Sequence, residues 1–146
     1  MIVFLTHAMP RSVNAKGTHL YKDAIVEALL KHVPEPAVYA EELYAAIYYF
    51  HRVRTSQDAD NISKPVLDAL EGVLYQNDKV VKVRHAAMID LQSRAIEAFD
   101  LSRVPNEVFK ALIESLDQQE HTVYVEIGRL DYRRQVQFGY EAISEG

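Results

Sequence analysis

Apolar and polar positions alternate between two periods along this chain, and the changes of period mark its elements. Residues 1–7, MIVFLTH, are β-branched and aromatic and predict a strand. The loop 8–17 follows, with Pro10, Ser12, Asn14 and Gly17. From Thr18 the spacing of Tyr21, Ile25, Ala28 and Leu29 predicts a helix, with Thr18 as its cap and the VPEP of 33–36 as its stop. Residues 41–54 are rich in Tyr, Ile and Phe and predict a second strand, and 55–60 a polar loop. Val66, Leu67, Leu70, Val73 and Leu74 mark one face of a second helix. Pro65 fits that helix in the first turn, where a missing N–H costs nothing, so the helix is expected to begin near residues 61–64 and end near Gly72. Residues 79–91 predict a third strand, 104–117 a third helix and 121–127 a fourth strand. The tail 129–146 carries no settled pattern.

This order predicts an α+β fold, a small mixed β-sheet layered against two or three helices in a single domain over 1–146. Strands three and four are expected to be antiparallel neighbours. There is no internal repeat, low-complexity run or linker. No apolar run nears the roughly 20 residues needed to span a bilayer, so no membrane partner is expected. The absence of cysteine excludes disulfides and thiolate metal sites and makes a reducing cytoplasm the expected compartment.

The formal net charge of −5 argues mildly against a polyanionic partner, but the charge is unevenly spread. Residues 1–90 carry 10 Lys and Arg against 11 Asp and Glu, and residues 91–146 carry 6 against 10. Acidity therefore lies mostly in the C-terminal part.

One stretch is different. DADNISKPVLDALEGVLYQND, residues 58–78, packs Asp58, Asp60, Asp68, Glu71 and Asp78 into an otherwise apolar helix pattern, with Lys64 among them. On a helix each step of four residues turns only about 40°, so Asp60, Lys64 and Asp68 line one face. Like charges so close must be solvated apart or held by a cation. One reading is structural: Asp58 and Asp60 cap a helix and complement its dipole, and Lys64 and Asp68 form an i,i+4 pair. The other is chemical: carboxylates that converge suit Mg²⁺, which takes hard oxygen ligands and leaves positions for water and phosphate, while Lys64 faces the phosphate charge. A calcium loop of the EF-hand type is excluded, because Ile62 holds the fifth position and no glycine holds the sixth.

The stretch DADNISKPVLDALEGVLYQNDKVV resembles the signature of the RusA family of Holliday-junction-resolving endonucleases: Asp-x-Asp-Asn, then Lys, Asp-Ala-Leu, Gly and an acidic pair before an apolar strand. Asp58, Asp60, Asn61, Lys64, Asp68, Ala69, Leu70, Gly72, Asp78 and Val80 fall in register. Pro10, Ser12 and Asn14 reproduce the family's Pro-x-Ser-x-Asn loop after the first strand. The resemblance implies metal ligands at Asp58, Asp60 and Asp78 and an essential lysine at Lys64. Asp68, Asn61 and Asn77 would support them. Asn77 stands where the family has the first acid of its pair. The implied activity is Mg²⁺-dependent cutting of branched DNA, with Mn²⁺ able to substitute. A homodimer would resolve four-way junctions by paired symmetric nicks in recombination and repair, in the cytoplasm at the nucleoid. Flaps, forks or other branches are alternative substrates, and a catalytically weak junction-binding protein is a further alternative.

Arg11, Asn14, Lys16, Arg52, Arg54 and Lys79 lie near these acids in sequence and are expected to contact DNA, the cations through its phosphates. Tyr44, Tyr48 and Tyr49 fall in a strand and suit a core, whereas Tyr75 is a candidate wedge at a DNA branch. The six histidines have no paired zinc spacing and read as structural or exposed.

Overall fold

The computed structural model describes residues 1–12, 15–55 and 57–141. Four strands, β1 (Ile2–Thr6), β2 (Leu43–His51), β3 (Val81–Asp90) and β4 (His121–Arg129), form one mixed sheet in the order β1-β4-β2-β3. Helices α1 (Thr18–His32), α2 (Ala59–Leu70) and α3 (Asn106–Gln118) pack on it, and a short helix α4 (Tyr132–Gln135) follows β4. The α+β architecture is the expected one.

β2 is an interior strand with helices over both its faces, which is why LYAAIYYFH reads as a nearly continuous apolar run. Leu43, Ala45, Ile47 and Tyr49 point to the side of α1 and α2, where Ile25, Leu29, Ile62, Val66, Leu67 and Leu70 meet them. Phe50, Val3 and Tyr124 point to the other side and meet Val108, Leu112 and Leu116 of α3. Each aliphatic side chain fully buried in these two layers contributes about 1.5–3 kcal/mol. The predicted helix at 104–117 thus covers the second face of the sheet.

The strand order differs from the expected one. β3 pairs with β2, in parallel, and β4 lies between β1 and β2, antiparallel to both. β3 and β4 are not neighbours. α2 is the crossover that joins two parallel strands, so it must return the chain from one end of the sheet to the other.

Helix boundaries also shift for physical reasons. α1 is capped by Gly17 at φ +82, not by Thr18. The Thr18 hydroxyl instead donates to the Ala15 carbonyl at 2.9 Å and lies against that of Ser12, closing the preceding loop. α2 starts at Ala59, because Asp58 Oδ1 accepts the Asn61 N–H at 3.1 Å as its N-cap. Pro65 is therefore inside the helix, not in its first turn. Its ring leaves the Asn61 carbonyl without the usual helical donor, and buried contacts of Ile62, Pro65 and Val66 hold the helix together across that gap. Among the described residues, no helix is long and apolar enough to cross a membrane.

Candidate active site

Antiparallel pairing brings Thr6, His51 and His121 to one end of the sheet, since Thr6 faces Val123 and His51 faces His121. The loops after β1 and β2 emerge there. They carry Arg11 and Lys16, and Arg54 and Asp58, with Asp60 following in the first turn of α2, all exposed. Arg11 lies close enough to the His121 ring to help depress its pKa, after the larger effect of burial. The carboxylates of Asp58 and Asp60 thus stand two residues apart at a helix start, at the end of the sheet from which the loops with these exposed cations emerge. Among the described residues, neither carboxylate has an ion-pair partner.

Asp78 comes from elsewhere. The chain leaves α2 at Leu70 and turns through Gly72 at φ +83, a conformation that favours glycine. The Gly72 N–H donates to the Tyr75 carbonyl at 2.7 Å. Asp78 then opens a 3-10 turn, Asp78–Val80, that leads into β3. Glu71, the residue after α2, accepts the Asp78 N–H on Oε1 at 3.2 Å, and the Asn77 side chain accepts the Lys79 N–H at 2.9 Å. Asp78 and Lys79 therefore sit where α2 ends and β3 begins, and Asp58 and Asp60 sit where α2 begins. A helix of 12 residues separates the two ends by roughly 18 Å along its axis. Among the described residues, no group of three or more His, Asp or Glu side chains is placed to hold one metal ion. The expected meeting of Asp58, Asp60 and Asp78 is absent from the single chain. It fails because β3 follows the crossover helix, so the residues just before β3 fall at the far end of α2.

Lys64 stands between the two groups. Its Nζ donates to Asp68 Oδ1 at 2.7 Å, on the solvent side of α2. That hydrogen bond, with smaller help from the charges of Asp68 and Asp78, raises the Lys64 pKa above its ordinary value and keeps the ammonium charged. Arg84 of β3 adds a second cation nearby; its guanidinium reaches the buried Ser63 hydroxyl at 3.4 Å. The face of α2 expected from the helical spacing of Asp60, Lys64 and Asp68 is thus present, and the structure adds Arg84 to it.

Two expected roles change. Arg52 is not free for DNA: its guanidinium donates to the Leu116 carbonyl, tying the end of β2 to α3. The Asn61 backbone N–H is the donor to the Asp58 cap, which leaves its side-chain amide free for the expected supporting role. Tyr75 cannot wedge into DNA, because it is fully buried and its hydroxyl donates to the Leu67 carbonyl at 2.5 Å. This hydroxyl takes up a carbonyl in the last turn of α2, where helical donors run out. Burial raises its pKa. Replacing Tyr75 by Phe should leave a buried carbonyl unpaired and cost about 1–3 kcal/mol, measurable by chemical denaturation. Asn14 lies outside the described residues. Four histidines bond within the fold, His7 to Ser115, His51 to the Val53 carbonyl, His85 to the Gln135 carbonyl and His121 to Tyr49, while His19 and His32 are exposed.

Oxygen-only donors, exposed and free of cations, fit Mg²⁺ in kind. Mg²⁺ commonly binds through one or two carboxylates and completes its shell with water and substrate phosphate. Asp58 and Asp60 match that open arrangement, and Asp58 keeps one oxygen unused by the helix cap. Comparison with known proteins gives one family: a model described as Endodeoxyribonuclease RusA matches residues 5–96, more than half of the chain and all of the segment just described. No curated protein gives a significant match.

Proposed function

The chain belongs to the RusA family of endodeoxyribonucleases, and from that premise we propose that it hydrolyses phosphodiesters in branched DNA, four-way junctions first, with Mg²⁺ as cofactor. The observation that carries this reading is the open end of α2. The exposed carboxylates of Asp58 and Asp60 stand there with no ion-pair partner among the described residues, at the end of the sheet from which the loops bearing Arg11, Lys16 and Arg54 emerge, one turn from Lys64 and within the matched segment. Asp58 and Asp60 would hold the ion. Once bound it supplies an activated water and neutralises phosphate charge.

The chain's own residues perform the rest. Arg11, Lys16 and Arg54 bind the DNA backbone, which makes affinity salt-sensitive without reading sequence. Lys64 presents an ammonium to the charge that builds on the reacting phosphate. Asp68 holds that ammonium in place. Glu71 and Asn77 fix the turn that carries Asp78, whose negative charge acts on Lys64. A homodimer with two-fold symmetry would set two such ends against the two symmetric strands of a junction and nick them as a pair. With that substrate the place of action is recombining or damaged DNA at the nucleoid, in the cytoplasm.

A panel of synthetic substrates tests the proposal. Four-way junctions should be nicked symmetrically in Mg²⁺ or Mn²⁺, flaps and forks less, and linear duplex least. Preference for flaps or forks would move the substrate and keep the chemistry. The separation of Asp78 from Asp58 and Asp60 favours a second reading, a junction-binding protein that cuts weakly. Tight junction binding without incision in either metal would select it.

A further inference from the structure

Two unpartnered parts of the molecule complement each other. In the segment 136–141, Val136, Phe138 and Tyr140 alternate with Gln137, Gly139 and Glu141. That is the period of a strand with one apolar face. Yet the segment belongs to no strand, and Phe138 and Tyr140 are 92% and 80% exposed. Aromatic rings left in water at this spacing mark a contact surface.

The second part is the outer edge of β1. β1 pairs with β4 on one side and stands at the end of the sheet, so its other side offers unpaired N–H and C=O groups. α1 and α3 flank that edge and leave a groove of about 500 Å³. Phe4 and Thr6 line its floor, Ala24 and Ala28 of α1 and Ala111 of α3 line its walls, and the charged side chains of Glu27, Lys31 and Glu107 also line it. Small side chains on both walls leave room for large ones to enter. An extended peptide laid there would gain ladder hydrogen bonds from β1 and send alternate side chains towards the two helices. β3, the other edge strand, displays exposed Lys82 and Arg84, charges that discourage strand addition.

We infer that residues 136–141 dock as an added strand along β1 of a second copy of this chain. Reach excludes the same copy. The Gln135 carbonyl is bonded to His85 Nε2 at 2.9 Å, which ties the start of the segment to β3. β3 and β1 are the two opposite edges of the sheet, and a strand docked beyond β1 lies about 19 Å from β3 at ordinary strand spacing. The residue after Gln135 advances the chain by only about 3.8 Å, so all six residues cannot both cross the sheet and fill the groove. Exchange of this segment in both directions closes a two-fold dimer. The inference rests on the homodimer proposed above and specifies how it is built.

The chain has no cysteine, so any disulfide is an introduced one. Gln137→Cys protein is mixed with Ala24→Cys or Ala111→Cys protein, oxidised and run on a non-reducing gel, while the native chain is sized by sedimentation. A covalent heterodimer is expected with one of the two groove variants, falling at least tenfold when Phe138→Lys is added to the Gln137→Cys chain. Equal yield with Phe138→Lys would mark random collision and overturn the inference. A native chain that sediments as a dimer, with no heterodimer from either variant, would overturn the docking and leave the two-fold dimer standing. A native chain that sediments as a monomer at every concentration would remove both, and the junction-cutting panel would still decide the nuclease proposal.

Discussion

Asp60→Asn should reduce Mg²⁺-dependent incision of a four-way junction by about 10³-fold or more, the loss expected when several kcal/mol of metal-borne charge stabilisation disappear. Asp60 is exposed, in the first turn of α2, and is paired with no cation among the described residues. Asparagine keeps its size and polarity and removes its charge. The fold should lose only the interaction of one carboxylate with the helix dipole, about 0.3–1 kcal/mol. A melting curve therefore separates the two effects: near-native stability with almost no nicks is the expected result. Asp58→Asn is a less clean variant, since Asp58 also caps α2. Cutting by Asp60→Asn equal to that of the native chain would remove the metal from the helix start and with it the mechanism.

Lys64→Met should lower the single-turnover cleavage rate by about 10²-fold, the scale set by removing one preorganised group that faces developing charge. Methionine retains an unbranched apolar stem and a good helix propensity, so α2 should persist. Junction affinity, measured by titration in Ca²⁺, should change much less than the rate. A pH profile gives an independent check. The hydrogen bond to Asp68 raises the Lys64 pKa, so the ammonium survives to higher pH than a free lysine would. The pair is complete below the ordinary lysine pKa of 10.5 and is lost as pH rises through the raised value. In Asp68→Asn the two larger raising causes are gone and only the Asp78 charge remains, so the alkaline decline in rate should begin at lower pH than in the native chain. An unmoved alkaline limb would show that Lys64 is not the group being titrated.

Several features of the site could be read before any fold was known, and others could not. The cap at Asp58 and the shared face of Asp60, Lys64 and Asp68 follow from distances of three and four residues, which a helix fixes by itself. Pro65 misled because its rule concerns a residue's own N–H, whereas the start of α2 was decided by the Asp58 cap and by burial of Ile62 and Val66 against the sheet. Tyr75 resembles an exposed wedge when only its polar neighbours Gln76, Asn77 and Asp78 are considered. It is buried because the turn at Gly72 folds it back onto the end of α2. No signal in the sequence of Arg52 tells that the Leu116 carbonyl, 64 residues away, will be its acceptor.

Local order came from the sequence alone: four strands, three helices, the acidic face of α2 and the segment shared with a nuclease family. Side-chain period and cap chemistry act over a few residues, so each element carries its own instructions. Tertiary structure alone decided that β4 inserts between β1 and β2, that β3 joins β2 in parallel, and that Asp78 stands at the opposite end of α2 from Asp58 and Asp60. Those outcomes depend on which apolar faces bury best against one another across the whole chain, a competition among distant segments that no short window of residues contains.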